Sequence, residues 1–268
     1  MIVPYEPDFF PPEGNAISRL GRKVILKLRD TGRAVRMTFE AFMFLPTFYR
    51  STPEINRQIF LMGAKSIGVT AVVALFTGMI LSLQAGLILK SYGQEMRVGY
   101  LVAQTMFREM GPFMTALILA ASVGSAMAAE IGTMSVSEEI AALDVMSINP
   151  VRFLVMPRLL ALMVMCPALT VYTDFIGIFG GGFIANTQLD VGWSVYYDNV
   201  TFMLTEKEIW VGMFKAWIFS ILIAGVSCYQ GMAARDGAVG VGRATRRAVV
   251  FSFLVILIVG YMITRMFY

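Results

Sequence analysis

Histidine is absent from all 268 residues, and with it go the side chain best suited to proton transfer near neutral pH and the commonest metal ligand. Triads built on histidine and His-based metal sites are therefore excluded. The two cysteines, Cys166 and Cys228, are too few for a four-thiolate zinc site, and both fall inside apolar stretches, where a thiol behaves as an inert small hydrophobe. Charge is scarce as well, at 15% of residues against the roughly 25% usual for soluble domains. No G-x-x-x-x-G-K-[ST] phosphate loop is present; the Gly237, Gly240, Gly242 run lacks the lysine. No nucleophile–base pair stands out, so the chain reads as a non-enzyme. Residues 1–16 form a tail that is acidic and proline-rich up to Asn15. It lacks the basic and apolar regions of a signal peptide, so insertion is expected to rely on the first true span.

What the chain has is apolar sequence in long blocks. Hydrophobic residues make up 57% of it and the mean hydropathy is +0.69. Five blocks approach the ~20 residues that cross a bilayer: about 66–89, 98–129, 159–185, 209–230 and 248–267. Ahead of them, residues 17–44 read as an amphipathic basic helix. Its apolar positions Ile17, Leu20, Val24, Leu28, Val35, Phe39 and Phe42 recur at helical spacing between arginines. Such a helix suits the membrane interface. A basic run is also a phosphate footprint, but attachment to a membrane domain argues against nucleic acid. Pro46 and Pro53 are expected to break the chain before it enters the bilayer. The expected fold class is thus all-α integral membrane. An interfacial helix and connector (17–65) precede a five-span domain (66–268).

Loop cations set the orientation. Ten lysines and arginines lie in residues 1–65, two in the 130–158 loop and four in the 231–247 loop, against Lys90, Arg97 and Lys207 on the other face. The N-terminus and both basic loops are expected in the cytoplasm of a bacterial inner membrane, with the C-terminus in the periplasm. Small residues repeat every four positions at Gly78, Ser82 and Gly86, at Ala120, Gly124 and Ala128, and at Gly177 and Gly181. This spacing lets helices approach closely in lipid, within one chain or between two copies.

The loop Glu130–Arg158 is the most informative segment. Ser135-x-x-Glu138 matches a capping box. Ile140, Leu143 and Met146 then share a face opposite Glu138, Glu139 and Asp144, and Asn149-Pro150 ends the helix. A short, acidic, partly apolar helix in such a loop suits docking into a partner's groove.

Glu130, Gly132, Glu138, Glu139, Pro150, Pro157 and Arg158 resemble the signature of the MlaE/YrbE permease family. Arg108-Glu109-Met110-Gly111-Pro112, Gly124-Ser125-Ala126 and Gly242-Arg243-Ala244-Thr245 are similar to further family motifs, in order along residues 17–267. The resemblance implies a homodimer that moves phospholipids or other lipids with a separate cytoplasmic ABC ATPase and a periplasmic MCE-domain (mammalian cell entry) protein. ATP and Mg would be bound by the ATPase, with no cofactor in this chain. Glu130, Glu138, Glu139, Ile140, Leu143 and Asp144 would make the ATPase contact.

Arg108 and Glu109 in the second block and Lys215 in the fourth are ionisable groups at membrane depth, where such groups face a partner or an aqueous cavity. Lys215 is expected beside Glu109, near an outward lipid cavity, in a role either functional or structural. Leu89 and Tyr92 are expected to line that cavity. Two positions depart from the family: Val123 stands where many members have arginine, and Gly260 where some have aspartate. A secondary transporter would show repeats and broken midplane helices, which are not evident. A non-transporting scaffold is the other alternative.

Overall fold

The computed structural model describes residues 16–50, 52–203 and 206–268, and every regular element among them is helical. The tail Met1–Asn15 lies outside the described residues, as do the side chains of Arg19, Arg22, Lys23 and Lys27. Helix α1 (Ala16–Met43) is followed by a 3-10 turn, Leu45–Arg50, and by α2 (Thr52–Ser91). Pro53 falls in the first turn of α2, where a missing N–H costs nothing. The two prolines therefore delimit the helices, and α2 starts at Thr52 rather than at the apolar boundary near Ser66. The chain continues as α3 (Glu95–Val136), a short α4 (Glu139–Val145), α5 (Val151–Gln188), α6 (Trp193–Met203), α7 (Glu206–Met232) and α8 (Gly237–Phe267). Helices α2, α3, α5, α7 and α8 are long and apolar enough to cross a membrane.

The small-residue repeats are resolved as contacts within one chain. Along α2 the buried stripe runs Gln58, Met62, Ser66, Thr70, Ala74, Gly78, Ser82, Gly86 at every fourth residue. It packs on α5 at backbone distance: a Cβ on Gly78 would lie 1.8 Å from the Gly177 carbonyl oxygen, and one on Gly180 2.5 Å from Leu75 O. The opposite face of α2 exposes Phe60, Val72, Phe76 and Ile80, as a lipid-facing side does. Gly124 in α3 seats against Ser227 and Ile223 of α7 in the same manner.

Two apolar cores result. The larger joins α3, α5, α7 and α8 toward the end of the molecule that carries the basic loops, called here the basic end. The smaller lies at the far end and gathers Val98, Val102, Met106, Ile178, Leu189 and Tyr196. Its lid is α6, which sequence periodicity left inside a loop. Tyr196 is fully buried and donates to Ile178 O at 3.0 Å, while Asn199 Nδ2 donates to Met96 O at 3.0 Å. Helix α1 lies along α7. Thr38 sits on Gly225, Tyr229 donates to Asp30 at 2.9 Å, and the exposed face of α1 presents Leu28, Val35, Phe39 and Met43.

Candidate functional site

The polar cluster inside the spans begins with a proline. Pro112 has no N–H to offer Arg108 O, the carbonyl four residues before it. The helix answers with a π turn over Met106–Met110, in which the Gly111 N–H reaches back to Met106 O. Wider turns of this kind leave carbonyls free and gather at functional positions. Lys215 of α7 takes the freed group, donating from Nζ to Arg108 O at 2.7 Å.

The same ammonium donates to Glu109 Oε1 at 2.8 Å and to Thr264 Oγ1 of α8 at 2.7 Å. An ammonium has three protons, so all are used. Thr264 Oγ1 lies 2.8 Å from Glu109 Oε1 and 2.9 Å from Gly260 O, and its single proton serves one of them. Lys215 is 1% exposed and Glu109 37%. The expected Lys215–Glu109 pairing is present and ties three spans together. Lys215 has no donor left for a ligand; the open side of the cluster is Glu109 and Arg108.

Arg108 points away from both. Its guanidinium lies 3.1 Å from the ring centroid of Tyr268, just beyond α8, and Lys207 Nζ lies 4.7 Å from the same centroid. The Tyr268 hydroxyl donates to Glu208 Oε2. Partial burial first, and then that carboxylate, push the phenol up from its ordinary value, so it remains the donor at physiological pH. The cluster is therefore level with the far-end termini of α7 and α8. Helix α3 begins at Glu95, more than ten residues earlier, and so rises roughly 15–20 Å past it at 1.5 Å per residue.

Asp174 of α5 escaped the sequence reading. It is 3% exposed, its Oδ1 meets no hydrogen-bond donor, and a Cβ on Gly111 would lie 1.7 Å from that oxygen. The signal was legible: a lone carboxylate in the apolar block 159–185. Beside it, Thr115 Oγ1 donates to Thr173 Oγ1 at 2.9 Å. Leu89 packs partly buried against the far-end core, and Tyr92 is exposed in the turn after α2.

At the basic end the capping box does not form. Glu138 occupies the cap position of α4 in the left-handed region (φ 60) with no side-chain cap bond. The Ser135 hydroxyl instead lies 3.2 Å from Met232 O and 3.3 Å from Ala234 O. Tertiary packing places carbonyls at the end of α7 and just beyond it where the hydroxyl donates to them, and this aims the side chain away from the local N–H. Asn149, read as a helix end, also begins the next helix: its Oδ1 accepts from the Val151 N–H at 2.8 Å and the Arg152 N–H at 3.3 Å. Its Nδ2 donates to Glu40 of α1 at 2.9 Å.

Another π turn, Val151–Val155, follows this cap, and the Met156 N–H reaches back to Val151 O. Pro157 again follows. Arg158 donates from Nη1 to Leu154 O at 2.9 Å and from Nη2 to Glu130 Oε2 at 3.1 Å. Glu130 and Arg158 thus close the base of the loop that carries α4. Within that loop Ile140 packs on the main core and Leu143 is half-buried. Glu138, Glu139 and Asp144 are exposed, as is Met146, and Val145 is 86% exposed. The apolar surface that α4 offers outward is therefore Val145 and Met146.

Comparison with known proteins places this architecture. A family profile described as Permease MlaE matches residues 55–266. The chain is 34% identical over 256 residues to a Rickettsia felis protein named "Probable ABC transporter permease protein", spanning 95% of this chain and 98% of that one. It is 34% identical over 254 residues to a Haemophilus influenzae protein named "Intermembrane phospholipid transport system permease protein MlaE", spanning 93% and 96%. A similarly named permease protein of Synechocystis is 33% identical over 207 residues, 77% of this chain and 79% of its own.

Proposed function

The chain belongs to the MlaE permease family, a multi-pass membrane protein, and from that premise we propose that it is the permease subunit of an ATP-driven transporter of phospholipids. ATP and Mg are bound by a separate cytoplasmic ATPase, two permease copies rearrange together, and an MCE-domain protein in the periplasm carries the lipid onward. The basic end faces the cytoplasm of the inner membrane and the α8 terminus faces the periplasm, in keeping with the distribution of loop cations.

The observation that carries this reading is the α4 loop. It projects an acidic and apolar tip, Glu138, Glu139, Asp144, Val145 and Met146, from a base fixed by Glu130–Arg158 and Asn149–Glu40. An exposed tip on a fixed base transmits a push from a docked partner into α3 and α5 rather than absorbing it. Val145 and Met146 fill the partner's groove, Glu138, Glu139 and Asp144 rim it, and Ile140 and Leu143 brace α4 from within. At the far end, Arg108 and Glu109 face the lipid path.

The test is to isolate the native complex and identify its subunits and lipids by mass spectrometry, then measure ATP hydrolysis. An ATPase and phospholipid should co-purify. Glu139→Lys should lower coupled hydrolysis about tenfold, the equivalent of roughly 1.4 kcal/mol of lost contact. A complex without an ATPase would leave a scaffold as the better reading.

A further inference from the structure

Tyr268 occupies the place at Arg108 that an anion would take. Among the described residues no carboxylate bridges to Arg108, and its guanidinium rests on an aromatic face instead. A guanidinium offers five N–H donors in a planar fork that fits a phosphate with two parallel bonds. A ring face uses none of them and holds the cation less strongly. Lys207 approaches the same ring, at 4.7 Å. Two cations on different helices thus converge on one volume, and a neutral side chain fills it. The ring itself is held by one polar contact, from its hydroxyl to Glu208.

We propose that Tyr268 is a displaceable cover over a phosphodiester-binding pair, Arg108 and Lys207, and competes with a phospholipid headgroup for Arg108. This rests on the lipid-permease reading above. When a headgroup arrives, its phosphate takes the Arg108 fork and the Lys207 ammonium, and the ring swings off with Glu208 as its remaining partner. When the lipid leaves, the ring returns and covers the cation again. Lys215 takes no part in the exchange, because Arg108 O, Glu109 and Thr264 already use its protons. The surroundings favour lipid-borne over free phosphate: Trp210, about one helical turn after Lys207 in α7, is exposed, as aromatic residues are at a membrane surface.

Two measurements on the full-length chain in maltoside micelles test this. Phenylglyoxal modification of Arg108, followed by peptide mass spectrometry, reads the cover without any lipid. Tyr268→Ala should raise its rate about two- to fivefold, the change an ordinary cation–π contact corresponds to. Tyr268→Phe, which keeps the ring and loses the Glu208 bond, should fall between. Binding of spin-labelled phosphatidylglycerol reads the ligand. It should tighten by a similar factor in Tyr268→Ala and weaken in Lys207→Ala, while spin-labelled diacylglycerol, which has no phosphate, is unaffected in both. Inorganic phosphate at millimolar concentration should not compete.

An Arg108 rate unchanged by Tyr268→Ala would overturn the cover. Equal tightening of both lipids would overturn phosphate recognition, and competition by inorganic phosphate would overturn the lipid source. If Arg108 is unmasked but neither lipid binds any form of the chain, the lipid-permease reading itself fails and takes the proposed ligand with it.

Discussion

The two proline-loosened turns, Met106–Met110 and Val151–Val155, meet the same local problem in different surroundings. Each precedes a proline by two residues, and beside each a cation paired to a carboxylate donates to a backbone carbonyl: Lys215 to Arg108 O, which Pro112 leaves unmet, and Arg158 to Leu154 O in its own helix. At the far end Lys215 is 1% exposed, comes from a different span, and has every proton used. At the basic end Arg158 comes from the same helix as its turn, its Nε meets no acceptor, and its carboxylate Glu130 is 59% exposed. The first arrangement fastens three spans around a buried ammonium; the second closes a loop at a surface where water reaches the carboxylate but not the buried guanidinium. What separates the two is where the answering cation comes from: Lys215 crosses from another span and joins three helices, whereas Arg158 ties its own helix to Glu130 and fixes the base of the loop.

That contrast predicts unequal costs. Lys215→Met leaves Glu109 and Arg108 O without their donor at membrane depth and should destabilise the chain by about 3–5 kcal/mol, read by thermal unfolding in detergent. Gly111→Ala drives a methyl onto Asp174 Oδ1 beside the same turn and should cost about 1–3 kcal/mol by overpacking, in the same assay. Asn149→Ala removes the cap of the basic-end turn and its link to Glu40, for about 1 kcal/mol. It should also lower coupled ATP hydrolysis more than it lowers stability. Glu130→Gln should be smallest, about 1 kcal/mol, since the carboxylate is 59% exposed and the buried Arg158 keeps its bond to Leu154 O; it should also flatten the dependence of stability on salt. Equal losses from Lys215→Met and Glu130→Gln would break the comparison.

The spans were legible because apolar blocks of bilayer length have no other use, and the Lys215–Glu109 pairing because an ionisable group in such a block needs a partner. The turns beneath them were not. Pro112 and Pro157 were visible, but which carbonyl goes unmet and who answers it depends on α7 and on helix packing. Tyr268 on Arg108 joins positions with no local pattern between them. Ser135 misled because the capping motif is local, while Met232 O and Ala234 O come from the end of α7 and the turn after it. Helix α6 was missed because its apolar residues cover an end of the bundle rather than one side. Asp174 was overlooked although a single carboxylate in a long apolar run is itself a signal.

The small-residue stripe of α2 also bears on how the protein is made. Its partner α5 is synthesised only after all of α3, so α2 enters the bilayer with its seam unmatched. A face of Ser66, Thr70, Ala74, Gly78, Ser82 and Gly86 is tolerable there. Its polarity is confined to three hydroxyls: Thr70 already donates to its own helix at Ser66 O, 2.8 Å away, and those of Ser66 and Ser82 meet no partner even in the folded chain. Insertion and assembly can then be separate events, with α2 parked as an independent span until the glycines of α5 slide against it. Enlarging Gly78 should therefore leave membrane integration of α2 intact and arrest the chain at the later step, as a full-length, inserted and protease-sensitive species.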